Sequence, residues 1–431
     1  MGSITHSLQC LSLLFLLTSV CSSTFNIPRL GTLRRIKERK PQTMSSSDQL
    51  PEDLQTFYYT QRLDHFNYGP DSYPTFQHRY VMDFKYWGGA KSSSPIFAFL
   101  GAESPLDEDI YYVGFLRNKA PQFNALIVYI EHRYYGKSIP FGSWEEAMIN
   151  ASTRDYFNST QALADYAAVL LHIKKSLSAQ NSPIIVIGGS YGGSGVSKLY
   201  KASKLKDILE LVYTSAAQYK APTDFQVNTI CEVIDAAAAK KTYILDRIFQ
   251  GVVGVLRNQS CYYMDEYNHQ TQTNLNWRWH TFSKIVMPIG HDKSGSMFPP
   301  APINMKRFVN ECRSLYNVLP RPHWITTYYG GQDLKLILCR FGSNIIFSNG
   351  LKDPRAGIGV LESISNIVIS VSTVNARSHC LDILSEESSI LEWLVMQRNV
   401  EVKIIKGWIT EYQVVQLAVI NKQIQALKPE T

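Results

Sequence analysis

Three residues able to build an acyl-transfer site stand in order along the chain: Ser190, Asp353 and His379. Ser190 lies in GGSYGG (Gly188–Gly193), directly after the apolar run PIIVI (Pro183–Ile187). A G-x-S-x-G pattern behind a buried strand is the signature of a sharp strand-to-helix turn that lifts a serine hydroxyl above a sheet edge. Glycines are needed there because neighbouring chain segments approach too closely for side chains. The amide of Tyr191 would then supply half of an oxyanion hole. A serine hydroxyl is a poor nucleophile until a histidine takes its proton and a carboxylate holds that histidine. In the order Ser, Asp, His each group follows a strand. NIIFSNG (Asn344–Gly350) precedes Asp353, and NIVISVSTV (Asn366–Val374) precedes His379. Asp353 is also an Asp-Pro turn residue and His379 also fits a surface loop. The triad alone serves a lipase or esterase equally well. It calls for no cofactor and no metal.

The elements that must carry these groups are legible as apolar runs. Ile96–Leu100, Ala125–Glu131, Pro183–Ile187, Asn344–Ser348 and Asn366–Val374 read as strands, several of them apolar throughout, as strands buried on both faces are. Between them lie helical patterns. Thr160–Ser176 has Leu163, Tyr166, Ala167, Leu170 and Ile173 on one stripe, and another helix starts near Leu391 and carries Leu394, Val395, Val402, Ile405, Trp408, Ile409 and Tyr412. Strands alternating with helices predict an α/β fold with a mainly parallel sheet. Ala221–Cys339 differs: strand-like runs are few, aromatic residues cluster, and four of the five cysteines beyond residue 23 lie there. It reads as an inserted, mainly helical cap.

Composition bounds the rest. At 431 residues, 45% hydrophobic and 18% charged, the chain can bury a large core. Leu8–Val20, followed by Cys21, Ser22 and Ser23, reads as a cleaved signal peptide, and no later segment reads as a membrane span. Asn150, Asn158 and Asn258 open glycosylation sequons, in keeping with the secretory route. The formal charge is +7, but Arg29, Arg34, Arg35, Lys37, Arg39 and Lys40 stand against Glu38 alone, so most of the excess sits in a basic leader. A nucleic-acid partner is therefore not expected. Five remaining cysteines predict one or two disulfides and an odd thiol. Cys380, beside His379, is expected to pack in its loop and not to react.

Longer motifs carry a resemblance. EHRYYGKSIPFG (Glu131–Gly142), GGSYGG (Gly188–Gly193), NIIFSNGLKDP (Asn344–Pro354) and SHCLDI (Ser378–Ile383) are similar to those of S28 serine peptidases, the lysosomal Pro-X carboxypeptidases and dipeptidyl peptidase II, in particular plant-type members. QRLDHF (Gln61–Phe66), WRW (Trp277–Trp279), MFPPAP (Met297–Pro302) and RPHWITTYYGG (Arg321–Gly331) extend it from about residue 55 to 412. The resemblance implies an α/β-hydrolase fold with a helical cap, divided as 1–23 signal, 24–50 leader, 51–212 hydrolase, 213–340 shortened cap and 341–431 hydrolase. It implies a secreted, vacuolar or lysosomal serine exopeptidase acting beside proline through Ser190, Asp353 and His379, with a proline-containing peptide as partner and a homodimer as candidate assembly. Arg355, Trp277 and Trp279 are candidates for substrate contact; Arg355 could read the free carboxylate of a carboxypeptidase substrate or block the pocket.

The pattern also departs from that family. Several tens of residues are absent between Gly193 and about Leu205, including most of the nucleophile helix and the next core strand. Lys198, Lys201, Lys204 and Lys206 crowd the segment that remains, where burial of unpaired ammonium groups is prohibitive. Ile208–Tyr213 is the nearest replacement strand. Arg355 stands where the family has an aromatic, Ser194 where it has methionine, Arg377 where it has glycine, and Phe282 and Lys284 where it has cysteine and glutamate. The alternative expectation is thus a catalytically impaired homologue or an aberrant splice form.

Overall fold

A computed structural model of the chain describes residues 53–69, 73–189, 213, 216–218, 226–239, 243–256, 272–286, 302–353, 355–374, 379–385 and 391–426. The signal peptide, basic leader, Ser190, Tyr191, the lysine cluster and Asn258 lie outside them.

Five strands make one sheet: β1 (Leu54–Arg62), β2 (Thr75–Asp83), β3 (Ile96–Leu100), β4 (Leu126–Ile130) and β5 (Ile184–Ile187), in the order β1-β2-β4-β3-β5. β2 runs antiparallel to β1 and β4, while β3 is parallel to β4 and β5. This is the first half of an α/β-hydrolase sheet, mainly parallel as the apolar runs indicated, with β2 alone running against the other four strands. β1 and β2 were not legible as strands because LQTFYYTQR and TFQHRYVMD mix polar and apolar residues. β4 is LIVYI and buried at every position, as a central strand covered on both faces must be. Helices α1 (Leu106–Tyr112) and α2 (Phe115–Phe123) cover one face and α3 (Ser159–Ser176) the other.

In α3 the buried stripe is Ala162, Tyr166, Val169, Leu170 and Ile173, whereas Leu163 and Ala167 face outward. The reason is electrostatic. Asp165 must turn inward to meet Arg133, whose guanidinium donates to both carboxylate oxygens at 2.6 and 2.7 Å, and His65 at 2.8 Å. Asn158 caps α3 by accepting the Gln161 amide, and Asn150 caps the short helix Ala151–Asp155 in the same way. The EHRYYGKS turn after β4 is built on Glu131, which accepts from the amides of Leu106 and Lys137 and from Ser138 Oγ. Gly136 lies in the left-handed region (φ 55°), and a Cβ there would fall 1.9 Å from the Glu131 carboxylate.

All described elements from residue 226 to 341 are helical: α4 (Gln226–Ala239), α5 (Ile244–Leu256), α6 (Gln272–Ser283), α7 (Met305–Tyr316), the short helix Trp324–Tyr328 and α8 (Leu334–Phe341). The chain then returns to two parallel strands, β6 (Ile345–Gly350) and β7 (Val368–Thr373), which form a sheet of their own. Among the described residues no ladder joins β5 to β6. This is where the missing core strand was expected, and Tyr213, the last residue of its nearest replacement, is helical. Val186 on β5 is accordingly 50% exposed, and every residue of β6 is only partly buried. The two sheets meet through the last helix, α9 (Glu392–Ala426), whose Val402, Ile405 and Ile409 share an apolar cluster with Phe115, with Ile185 and Ile187 of β5 and with Ile346 of β6.

Cys231, Cys312, Cys339 and Cys380 are free thiols, so the expected disulfides are not formed among the described cysteines. Cys312 shows why. It is buried against residue 282, its thiol 3.5 Å from the Phe282 carbonyl, and Phe282 fills that position by stacking on Phe308. No described helix is long and apolar enough to cross a membrane.

Candidate active site

The acid comes from the turn that ends β6. The Asp353 amide donates to the Gly350 carbonyl, and the Ala356 amide to that of Asp353, which folds the chain back at the carboxylate. Its Oδ1 accepts the Arg355 amide at 2.9 Å, a side-chain turn of the kind aspartate favours. Oδ2 accepts from His379 Nδ1 at 2.5 Å. With Nδ1 committed to the carboxylate, Nε2 is the nitrogen left to exchange a proton with a nucleophile. Both side chains are about one-tenth exposed, which shields the pair from water.

The histidine loop follows β7. The His379 amide donates to the Gln218 carbonyl at 2.8 Å, Cys380 turns the chain in the left-handed region (φ 57°), and a short 3-10 turn runs over Leu381–Ile383. Leu384 then bridges to Val113, beside α2. Ser190 lies outside the described residues, but the chain leading into it is placed. A Cβ on Gly189 would stand 2.3 Å from Ile383 Cδ1 and 3.3 Å from Cys380 Sγ. Gly189, the residue before the serine, is therefore pressed onto the loop that carries His379. A side chain at 189 would have to displace the tip of Ile383.

Beneath the loop lies a polar cluster that the motifs did not reveal. From α9, Arg398 donates to the carbonyls of Leu381, Asp382 and Leu384 at 2.7–2.9 Å. Ser348 of β6 donates to Glu401 Oε1 at 2.8 Å and accepts from Gln397 at 2.7 Å. Burial, and then the charge of Asp382, push the Glu401 carboxyl up to about 7, against opposition from Ser348, Gln397 and Arg398. Burial likewise pushes Asp382 up. Arg398, Gln397 and Glu401 sit in a helix whose amphipathic pattern reads only as packing, so their spacing carries no signal of a site.

The candidate substrate residues fall in different places. Arg355 stands beside Asp353, held by its amide to that carboxylate. Trp277 and Trp279 are 1% and 2% exposed. Trp279 donates to the Phe157 carbonyl, packs edge-on against Tyr316 and takes the Arg154 guanidinium over its ring. Asn276 of the same helix donates to the Tyr134 carbonyl and accepts from Trp144. Here the WRW motif docks α6 onto the segment that follows β4 and offers no open indole face. Buried imidazoles line this junction: His280 packs edge-on against Phe157 and His132, and burial holds His132 down to about 4 and His280 well below its ordinary value.

Residues 61–226 and 202–401 match the serine carboxypeptidase S28 family, in two pieces that overlap just after the nucleophile motif. The lysosomal Pro-X carboxypeptidase of Homo sapiens is 25% identical over 497 aligned positions, covering 93% of this chain and 98% of the relative. That alignment is longer than the 431-residue chain, so the relative carries segments that this chain lacks. The thymus-specific serine protease of Homo sapiens is 32% identical over 38% of this chain and 30% of its own length. Among solved structures, the peroxisomal alpha-beta-hydrolase Lpx1 of Saccharomyces cerevisiae aligns with 88% of this chain and 97% of its own at 10% identity and a TM-score of 0.32.

Proposed function

The chain belongs to the serine carboxypeptidase S28 family, which makes it a serine peptidase, and on that footing we propose that it is an exopeptidase cleaving peptides beside proline. Ser190 Oγ attacks the carbonyl carbon of the scissile bond while His379 Nε2 takes the hydroxyl proton. The amide of Tyr191, with a second amide from the loop after β3, steadies the oxyanion. The C–N bond breaks as His379 returns its proton to the leaving amine, and water then hydrolyses the acyl-enzyme by the same route. Asp353 holds the imidazole in the required tautomer and steadies its positive charge.

The observation that carries this reading is the 2.5 Å bond between His379 and Asp353, in a loop packed on Gly189, the residue before the serine. Proline preference rests on the family motifs and on the Pro-X carboxypeptidase relative. Arg355, beside Asp353, is the candidate cation for a substrate carboxylate. A lysosomal, vacuolar or secreted location is supported by that relative's name and by the apolar run at Leu8–Val20.

The test is labelling of purified protein with a fluorophosphonate at about pH 5 and pH 7, with the modified peptide mapped and Ser190→Ala as control. Label confined to Ser190, followed by release of the C-terminal residue from Pro-X peptides, is the expected result. A protein that melts cooperatively and takes no label is a folded non-enzyme, and the reading fails. Label on Ser190 with ester but no peptide turnover assigns an esterase.

A further inference from the structure

Catalysis by a triad depends on holding the imidazole within a fraction of an ångström of its productive pose. β6, which delivers Asp353, is not laddered to β5, which leads to Ser190, among the described residues. His379 itself lies in a loop where one 3-10 turn is the only regular element among the described residues. What spans these parts is α9. On one turn it presents Arg398 to the histidine loop and Gln397 and Glu401 to Ser348 of β6, five residues before Asp353. Its apolar face reaches Ile185 and Ile187 of β5 and Ile346 of β6.

We propose that Arg398 is a positioning residue for His379: its guanidinium gathers the carbonyls of Leu381, Asp382 and Leu384, and so fixes the backbone from which the imidazole reaches Asp353. Arg398 is 2% exposed and donates through Nε and Nη2, whose directions are set by the planar fork. A lysine has one donor centre and cannot reproduce three convergent contacts on a loop of fixed shape. The side chains facing Arg398 and the loop are Asp382, Glu401, Gln397, Ser348 and His379, so the cation also offsets two carboxyl groups that burial would otherwise leave uncompensated. The inference rests on the triad reading above and gives it a support outside the family motifs.

The experiment uses the full chain with Arg398→Lys and Arg398→Met. Three readouts apply: the rate and pH profile of fluorophosphonate labelling at Ser190, kcat and KM on a Pro-X peptide, and the downfield proton resonance of His379 Nδ1–H bonded to Asp353. The expected result for Arg398→Met is a fall in kcat and in labelling rate of about 10²-fold with KM nearly unchanged. The downfield proton should be lost or broadened, and Arg398→Lys should recover little. Should the methionine variant fail to fold, Arg398→Lys, which keeps the charge and the stem, carries the test by itself. Wild-type labelling rate, pH profile and proton resonance in a folded variant would overturn the proposal, as would full rescue by lysine. If the wild type itself neither labels nor turns over, the functional reading fails. The proton resonance, compared between wild type and variants, then still decides whether Arg398 holds the His379–Asp353 bond.

Discussion

Asp353 divides its two oxygens between two tasks, and that division explains why an aspartate is needed. Oδ1 fixes the turn through the Arg355 amide, and Oδ2 orients His379. Asp353→Asn keeps the turn, because the amide oxygen still accepts from Arg355, but presents an NH2 group to Nδ1 and so selects the wrong tautomer. The expected outcome is a fall in kcat of about 10⁴-fold with little change in melting temperature, read by steady-state kinetics and calorimetry. An equal loss of both would mean that the carboxylate is needed for folding more than for proton handling. The approach of Asp353 to His379 was legible in the sequence because post-strand loops have local signatures, and Ser190 is the proposed third member. Arg398, Gln397 and Glu401 were not, because their role depends on which loop the last helix happens to cover.

At the scale of elements, the same motif residue can have a different task from the one its chemistry suggests. The two tryptophans of WRW are attractive for a proline pocket, yet burial at 1% and 2% makes α6 a docking helix in this structure. Trp279→Ala should therefore lower the unfolding free energy by about 3–5 kcal/mol, as removal of a buried indole does, and leave KM for a Pro-X peptide unchanged. Denaturant melts and initial-rate kinetics separate the two effects, and a raised KM at unchanged stability would restore the substrate role. Strands β3 to β7 were readable as apolar runs, while β1 and β2 were not, since strands of mixed polarity lack a period that stands out from loop. In α3 the apolar count pointed to Leu163 and Ala167, but the demand of Arg133 for Asp165 rotated the helix. A buried ion pair outweighs one exposed leucine, because an unpaired buried charge costs several kcal/mol.

Across the whole molecule, two sets of buried groups respond to pH in opposite senses. Glu401 is raised from 4.5 to about 7, so its contribution to stability is full below pH 4.5 and is lost as pH rises through 7. His132 is lowered from 6.5 to about 4, so its contribution is full above pH 6.5 and is lost as pH falls toward 4. Between pH 4.5 and 6.5 these trends oppose, which flattens the profile of the intact protein and masks each group. Glu401→Gln removes one of them. The variant should match the wild type near pH 4.5 and exceed it by up to about 3 kcal/mol at pH 8, measured by denaturant unfolding at each pH. A difference that stays constant across this range would show that the Glu401 carboxyl is not held protonated.

The amino-acid order by itself determined the family, through motifs dense enough to identify it, and supplied the candidates for nucleophile, acid and base. It also pointed to a missing strand between Gly193 and about Leu205, a segment outside the described residues. Only the tertiary structure decided that the last helix packs against both β5 and β6. Contacts between β5, the histidine loop and α9 join residues about two hundred positions apart, and no local pattern encodes which distant surfaces meet. The thiol of Cys312 facing Phe282, the inward turn of Asp165 and the grip of Arg398 on the histidine loop are all of this kind. Each is settled by packing and charge pairing in three dimensions, where the energy of a group depends on its neighbours and not on its place in the chain.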